Sequence, residues 1–246
     1  MNRSRQQETG PTAFLRNFEK IFSGLDGALE KPVADHLRNV YSTVAVGVGA
    51  ASIGAAIQLY TNFLRAHFVL SLISMFIMYQ LISTPNSREN QSKRFGLFLG
   101  FCGITGYSIG PLIQIATFVD QTIVTTALLA STVVFGVFSL SAIYAKTPKF
   151  LHLGGILATA SLGLVISSLF APLAFILWSG LAISLLFVLY DTQMIIEKRR
   201  MGDDDHVWHA VELFIDFANL FRYILILLAD NKQQEQRRSN EKKRNE

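Results

Sequence analysis

The chain has 246 residues, of which 50% are hydrophobic and 16% charged, with a formal net charge of +4. Soluble domains carry roughly 25% charged residues, whereas only four charges lie between Phe95 and Ile196. So few charges could not cover the surface of a soluble domain, so composition excludes that class. Basic residues gather near the two ends without an aromatic-interleaved patch, which favours a lipid bilayer over nucleic acid as the partner.

Seven apolar stretches follow one another, near residues 40–60, 67–83, 95–117, 123–145, 151–171, 173–190 and 208–228. A helix needs about 20 apolar residues to cross the hydrocarbon core of a bilayer, and continuous rather than alternating runs argue against a β-barrel. The sequence therefore predicts an all-α integral membrane protein with a seven-helix transmembrane domain over residues 40–228. A cytosolic N-terminal tail (residues 1–39) precedes it, and a polybasic C-terminal tail (residues 229–246) follows it. The end of that tail, EQRRSNEKKRNE, is expected to be a disordered interaction segment.

Lys and Arg alternate between many and few in successive loops, with three in each of the loops 84–94 and 197–207 and none in 118–122. The positive-inside rule then predicts a multi-pass protein with a cytosolic N-terminus. The last segment is the most polar of the seven, because it holds Glu212 and Asp216. It either crosses the membrane shielded inside the bundle or dips in and returns, and the sequence leaves both possibilities open.

Glycines recur at intervals of about three or four on the third predicted helix, which carries Gly103, Gly106 and Gly110, and several also lie on the first, including Gly47 and Gly54. Small residues at this spacing let two helix backbones approach closely. We therefore expect the first and third helices to pack tightly.

Two aspartates inside the predicted spans are the main candidates for function. Asp191 and Asp216 lie on consecutive helices at equal distances from a turn centred on Asp203 and Asp204. With a rise of 1.5 Å per residue, both lie roughly 10 Å inside the cytosolic boundary. Two neighbouring carboxylates cannot both ionise cheaply in a low-dielectric site, which predicts a proton-sensitive pair. Their oxygens are also the ligands that Ca²⁺ prefers.

A polar stripe runs along the last predicted helix, where Glu212, Asp216, Asn219 and Tyr223 fall on one face. Such a stripe is expected to face the bundle interior or a wet cavity. Arg222 lies beside the stripe and is a candidate counter-charge for the two aspartates. No resident cofactor and no catalytic residue is predicted.

Two further interpretations of these residues carry less weight. His206 and His209 lie near three aspartates at residues 203–205, but a solvated acidic turn explains that spacing better than a metal site. An intramembrane aspartyl protease also uses two aspartates on consecutive helices. Here Asp216 stands in FIDF rather than in that family's GxGD, and no PAL motif follows, so we expect no enzyme.

Several segments together resemble the Bax inhibitor family, the transmembrane Bax inhibitor motif proteins, in its endoplasmic-reticulum branch. The resemblance covers most of residues 36–228 and depends on HLRNVY (36–41), KRFGLFLGF (93–101), GYSIGPLI (106–113), FSLSAIYA (138–145), LHLGGIL (151–157), LYDTQMIIEK (189–198) and HVWHAVELFIDFANLFR (206–222).

The resemblance implies a fold, a function and partners. The fold is a seven-helix bundle whose C-terminal helix is enclosed by the other six. The function is suppression of apoptosis and control of luminal Ca²⁺ through a pH-sensitive leak in the endoplasmic reticulum membrane. Asp191 and Asp216 match the family's paired aspartates, and anti-apoptotic Bcl-family proteins are implied as partners. A non-conducting scaffold that acts through partner binding is the alternative.

One feature of the family is missing from this sequence. Bacterial relatives have an arginine at the end of the second helix that latches one aspartate. The second span here, HFVLSLISMFIMYQLIS, has no arginine, and Gln80 is its most polar deep residue. Arg222 is therefore our candidate substitute.

Overall fold

The computed structural model describes residues 29–61, 67–145 and 149–245 of the chain. In that part the chain forms seven α-helices and no strand, which confirms the predicted all-α class. Short 3₁₀ turns at Arg88–Asn90 and Lys149–Leu153 lead into the third and fifth helices. The helices are α1 (Lys31–Thr61), α2 (His67–Ser83), α3 (Gln91–Val119), α4 (Thr122–Ile143), α5 (Gly154–Ser167), α6 (Leu173–Arg200) and α7 (His206–Asn245).

Five of these helices, α1, α3, α4, α5 and α6, are long and apolar enough to cross a membrane when the 3₁₀ turns are included, and α2 is a shorter apolar helix. Their outer faces expose large apolar side chains such as Tyr60, Phe118 and Val165. A bilayer solvates these surfaces while the helices satisfy their own backbone polar groups. The protein is a multi-pass membrane protein.

The two ends of the bundle differ from the prediction. Helix α1 begins at Lys31 rather than near residue 40, with Pro32 in its first turn, where a missing N–H costs nothing. Helix α7 continues to Asn245, so the disorder expected for the C-terminal tail is wrong. The tail is rich in Gln, Glu, Lys and Arg, which are good helix formers that extend an existing helix without a new nucleus. Residues 1–28, 62–66, 146–148 and 246 lie outside the described residues.

Helix α7 runs the full length of the bundle beside α3. At one end Arg94 of α3 pairs with Asp205, and at the other Gln236 donates a hydrogen bond to the carbonyl of Val119 at 3.2 Å. These contacts are separated by about 45 Å of helix, close to the thickness of a bilayer with its headgroups. One continuous helix along the whole bundle favours the crossing over the dip-and-return alternative. We call the end with residues 201–205 the hairpin end and the end with residues 119–122 the opposite end.

At the opposite end, a short turn joins α3 to α4. The backbone N–H and the hydroxyl of Thr122 both donate to Oδ1 of Asp120, at 2.8 and 2.7 Å. These hydrogen bonds hold the pKa of the Asp120 carboxyl below its ordinary value. The turn thus presents an ionised aspartate beside the basic continuation of α7.

The last helix is enclosed mainly by four others. Helix α7 packs against α1, α3, α4 and α6, while α2 packs on α3 and α5 packs on α6. Leu213, Phe214 and Leu220 of α7 are almost fully buried. The inner face of this helix, which carries Asp216, is thereby kept away from lipid, as the sequence pattern requires.

Helices α1 and α3 approach each other at their glycines. A Cβ atom on Gly54 would overlap the backbone of Gly103, and one on Gly106 would overlap the backbone of Ala51. By contrast, Gly49 has open space around it. The predicted close packing of these helices is confirmed.

Candidate functional site

The turn between α6 and α7 sets the relative height of the two candidate aspartates. Helix α6 ends with Gly202 at a φ of +101°, a conformation that favours glycine. The N–H of Gly202 donates to the carbonyl of Arg199, and that of Asp203 donates to the carbonyl of Lys198, both at 3.0 Å. This paired arrangement ends the helix and satisfies its last carbonyls.

Five residues separate the end of α6 at Arg200 from the start of α7 at His206. The side chain of Asp205 accepts a hydrogen bond from the N–H of Trp208 at 3.0 Å, which satisfies one of the free donors of the first turn. Asp203 in turn accepts the N–H of Asp205 at 2.9 Å. Since the turn is tight and the helices are antiparallel, residues equidistant from it lie at the same depth.

Asp191 and Asp216 meet across the α6–α7 interface. Their carboxyl groups are within hydrogen-bonding distance, and Asp216 is only 5% exposed. The buried Oδ2 of Asp216 finds no N–H or O–H donor among the described residues. A hydrogen bond between two carboxyl groups requires a proton on one of them. The structure therefore brings the two carboxyl groups close enough for one proton to lie between them.

Polar and aromatic side chains from α1 and α4 close over the pair. The hydroxyl of Tyr41 lies 3.3 Å from that of Thr192, the residue after Asp191. The Tyr41 ring contacts the Phe135 ring, whose other neighbour is the Phe217 ring at 5.6 Å between centroids. The carboxyl pair is thus bounded by an aromatic cluster on the α1 and α4 side.

A lysine and a third carboxylate lie between the pair and the hairpin end. Nζ of Lys198 contacts both carboxylate oxygens of Glu212, at 2.8 and 3.2 Å. Nε1 of Trp208 donates to the same carboxylate at 2.9 Å. Lys198 is seven residues after Asp191 and Glu212 is four before Asp216, so this ion pair bridges the same interface one to two turns away.

Arg222 has other contacts than those predicted. It is exposed, with Nη2 3.3 Å from the amide oxygen of Asn219 and its guanidinium 5.5 Å from the centroid of the Tyr223 ring. The cation at the α6–α7 interface near the pair is Lys198, through its ion pair with Glu212. We therefore take Lys198 rather than Arg222 as the candidate replacement for the bacterial arginine.

A second buried polar cluster lies at the hairpin end. Nε2 of His36 and Nδ1 of His209 are 2.8 Å apart, and Nε2 of His209 lies 3.6 Å from a carboxylate oxygen of Asp203. Arg94, only 3% exposed, pairs with Asp205. These contacts fasten α1, α3 and α7 to the turn.

Among the members of these clusters that sequence reasoning missed are His36, Tyr41, Arg94 and Lys198. Lys198 had a usable signal, because its spacing of seven from Asp191 places both on one face of α6. The other three come from α1 and α3, and periodicity within one helix does not report contacts with another.

The described residues contain no group of three or more His, Cys, Asp or Glu side chains placed to hold a metal ion. His209 and Asp205 are occupied by His36 and Arg94, so the turn is a structural cluster.

Fold and site together define a class: multi-pass helical membrane proteins with a central helix and a buried carboxyl pair. The family model described as "Inhibitor of apoptosis-promoting Bax1" matches residues 33–234. The chain is 40% identical over 203 residues to Bax inhibitor 1 of Mus musculus, covering 80% of this chain and 86% of the relative. Bax inhibitor 1 of Oryza sativa subsp. japonica is 33% identical, with 94% and 91% covered. The chain belongs to the Bax inhibitor family.

Proposed function

We propose that this protein is a pH-sensitive Ca²⁺ leak of the endoplasmic reticulum membrane that suppresses apoptosis. Its relatives in mouse, human and rice carry the name Bax inhibitor 1, which supports the apoptotic part of the proposal. Anti-apoptotic Bcl-family proteins are the proposed protein partners. The proposal is one of transport, with no catalytic step.

The observation that carries the proposal is the contact between Asp191 and Asp216 inside the bundle. Loss of the shared proton would leave two negative charges in contact in a low-dielectric site, where repulsion is strong. The helices would then separate or the pair would attract a cation. Since carboxylate oxygens are the ligands Ca²⁺ prefers, proton binding and Ca²⁺ passage would compete at this pair.

Lys198 supports a closed resting state in this proposal. Its ammonium group neutralises Glu212 beside the pair and lies between the pair and the hairpin end. A cation passing that way would have to displace it.

The proposed orientation places the hairpin end in the cytosol. The structure brings the loops after α2 and after α6 together, because the amide of Asn86 donates to Asp204 at 2.9 Å. The basic residues adjoining both loops therefore lie at one end, and the positive-inside rule assigns that end to the cytosol. The N-terminus of α1 lies at the same end, since Glu30 pairs with Arg200 at 3.7 Å.

The test is Ca²⁺ flux through purified protein in liposomes between pH 5 and 8. The amide in Asp216→Asn mimics a protonated carboxyl and cannot ionise. We expect its flux to be independent of pH and to equal the flux of the wild type at pH 5, with the same behaviour for Asp191→Asn.

Asp230→Asn is the matched control, because it makes the same substitution on the same helix outside the site, where Asp230 accepts a hydrogen bond from Gln234. It should retain the pH profile of the wild type. Absent flux in folded wild-type protein, or an unchanged pH profile in both site variants, would refute the carboxyl-gated leak.

The exposed basic part of α7 supports the scaffold alternative. Residues 231–244 are almost entirely exposed and form a helix with basic residues in its last turn. Such a helix is available for partner binding without ion passage. Protection from cell death that survives the Asp191→Asn and Asp216→Asn double change, but not removal of residues 231–246, would favour the scaffold.

A further inference from the structure

A cavity separate from the carboxyl pair opens on the side of the bundle. Its volume is about 240 Å³, and it lies between α1, α3, α4 and α7 in the half nearer the opposite end. The lining runs from Val48 to Leu59 on α1 and from Phe214 to Phe221 on α7. At 1.5 Å per residue, the α1 stretch extends about 16 Å along the membrane normal.

The mouth of the cavity faces the bilayer. Ser52 and Leu59 of α1 and Leu128 of α4 line the cavity and are exposed, whereas Phe214 and Phe217 at its back are buried. The opening therefore lies between α1 and α4. It is continuous with the lipid-facing surface on both sides, where Ile53 is 64% exposed and Leu129 is 63% exposed.

The cavity offers few partners to water. Among the described residues that line it, hydroxyl groups belong to Ser52 and Thr105, and both donate to carbonyls of their own helices, at 2.8 and 2.9 Å. A buried water needs two to four polar partners, and an apolar cavity of about 150 Å³ stays dry and binds benzene. The space is therefore suited to an apolar group larger than benzene and unsuited to ions.

We infer that this cavity binds one acyl chain of a bilayer phospholipid, which enters between α1 and α4. The bilayer supplies such chains at the mouth, and the elongated apolar lining accepts one along the membrane normal. The chain reaches the wall formed by Phe217 and Ala218, next to Asp216 on α7. The inference does not depend on ion transport through the protein.

The experiment uses the full chain in phosphatidylcholine nanodiscs that contain a small fraction of phosphatidylcholine with a diazirine at the end of one acyl chain. After irradiation, adducts are located by mass spectrometry of peptides. We expect adducts on the inner wall at Thr105, Ile109 and Ala218, in addition to those on lipid-facing surfaces. Adducts confined to exposed faces would overturn the inference.

Two filling variants and one control sharpen the result. Ala55→Trp and Val124→Trp place an indole in the cavity from opposite sides, and either one serves if the other does not fold. Each should reduce the inner-wall adducts about tenfold, equivalent to about 1.4 kcal/mol of binding free energy. Ile53→Trp, on the lipid-facing side of α1, should leave them unchanged. Inner-wall labelling that persists in a folded filling variant would contradict an acyl-chain site, whatever the ion flux.

Discussion

The polar groups of the site are joined by a few short contacts. Lys198 and Trp208 both contact the carboxylate of Glu212. The Lys198 and Glu212 side chains are 26% and 23% exposed. An ion pair at this level of burial lies between the surface pairs, which contribute little, and the buried pairs, whose disruption is costly. Its contribution is therefore measurable.

Lys198→Met should lower the free energy of unfolding by about 1–2 kcal/mol, because it leaves Glu212 charged and half-buried without its cation. Equilibrium unfolding in mixed detergent micelles measures the change, and a double-mutant cycle with Glu212→Gln isolates the pairwise term. Lys232→Met is the control, since Lys232 makes an exposed pair with Glu235 at 3.6 Å. An equal loss of unfolding free energy in both variants would contradict a larger contribution from the Lys198–Glu212 pair.

Helix packing here depends on where backbones touch. Helices α1 and α3 meet at Gly54 and Gly106, where side chains are excluded by backbone on the facing helix. This interface forms the wall against which α7 and its carboxylate are placed. A substitution that moves α1 and α3 apart is therefore expected to shift α7 and its carboxylate, even though the substituted residue does not contact them.

Gly54→Ala should destabilise the protein by about 1–3 kcal/mol, because the new methyl group overlaps the carbonyl of Gly103 and the helices must move apart. Gly49→Ala, five residues earlier on the same helix, has no atom within 4 Å of its Cβ. That control should be neutral or gain up to about 1 kcal/mol from helix propensity. Thermal unfolding of both variants tests the contrast, and similar melting temperatures would contradict the close packing.

The arrangement of all seven helices places the two ends of α7 on opposite faces of the bundle. Asp205 lies beside Arg94 at the hairpin end, and Gln236 lies beside Val119 at the opposite end. The basic extension of α7 thus emerges away from the basic loops. The positive-inside rule by itself favours the same side of the membrane for this basic segment and for the basic loops.

Cysteines introduced at Ser87 and Ser239 should react with a membrane-impermeant maleimide from opposite sides of sealed vesicles. Both serines are exposed, and the native Cys102 is buried and should not interfere. A cysteine at the exposed Gln121 should behave like the one at Ser239. Labelling of positions 87 and 239 from the same side would show that α7 does not cross.

Composition and local pattern were enough to predict several features. The scarcity of charge between Phe95 and Ile196 excluded a soluble fold, and the lengths of the apolar runs predicted seven helices. Equal spacing from the turn predicted that Asp191 and Asp216 lie at similar depth, where a suitable rotation of the two helices would let them face each other. These properties depend on hydrophobicity and helical rise along one chain segment or one hairpin, which a sequence states directly.

The remaining features depended on contacts between distant segments. The course of α7 along the whole of α3 follows from its contacts near Arg94 and Val119. Lys198 rather than Arg222 forms the ion pair at the α6–α7 interface because of how the two helices are rotated. Tyr41 and His36 reach their partners across more than 150 residues of chain. Helix rotation and neighbour choice arise from packing of the whole bundle, and periodicity within a single helix carries no information about them.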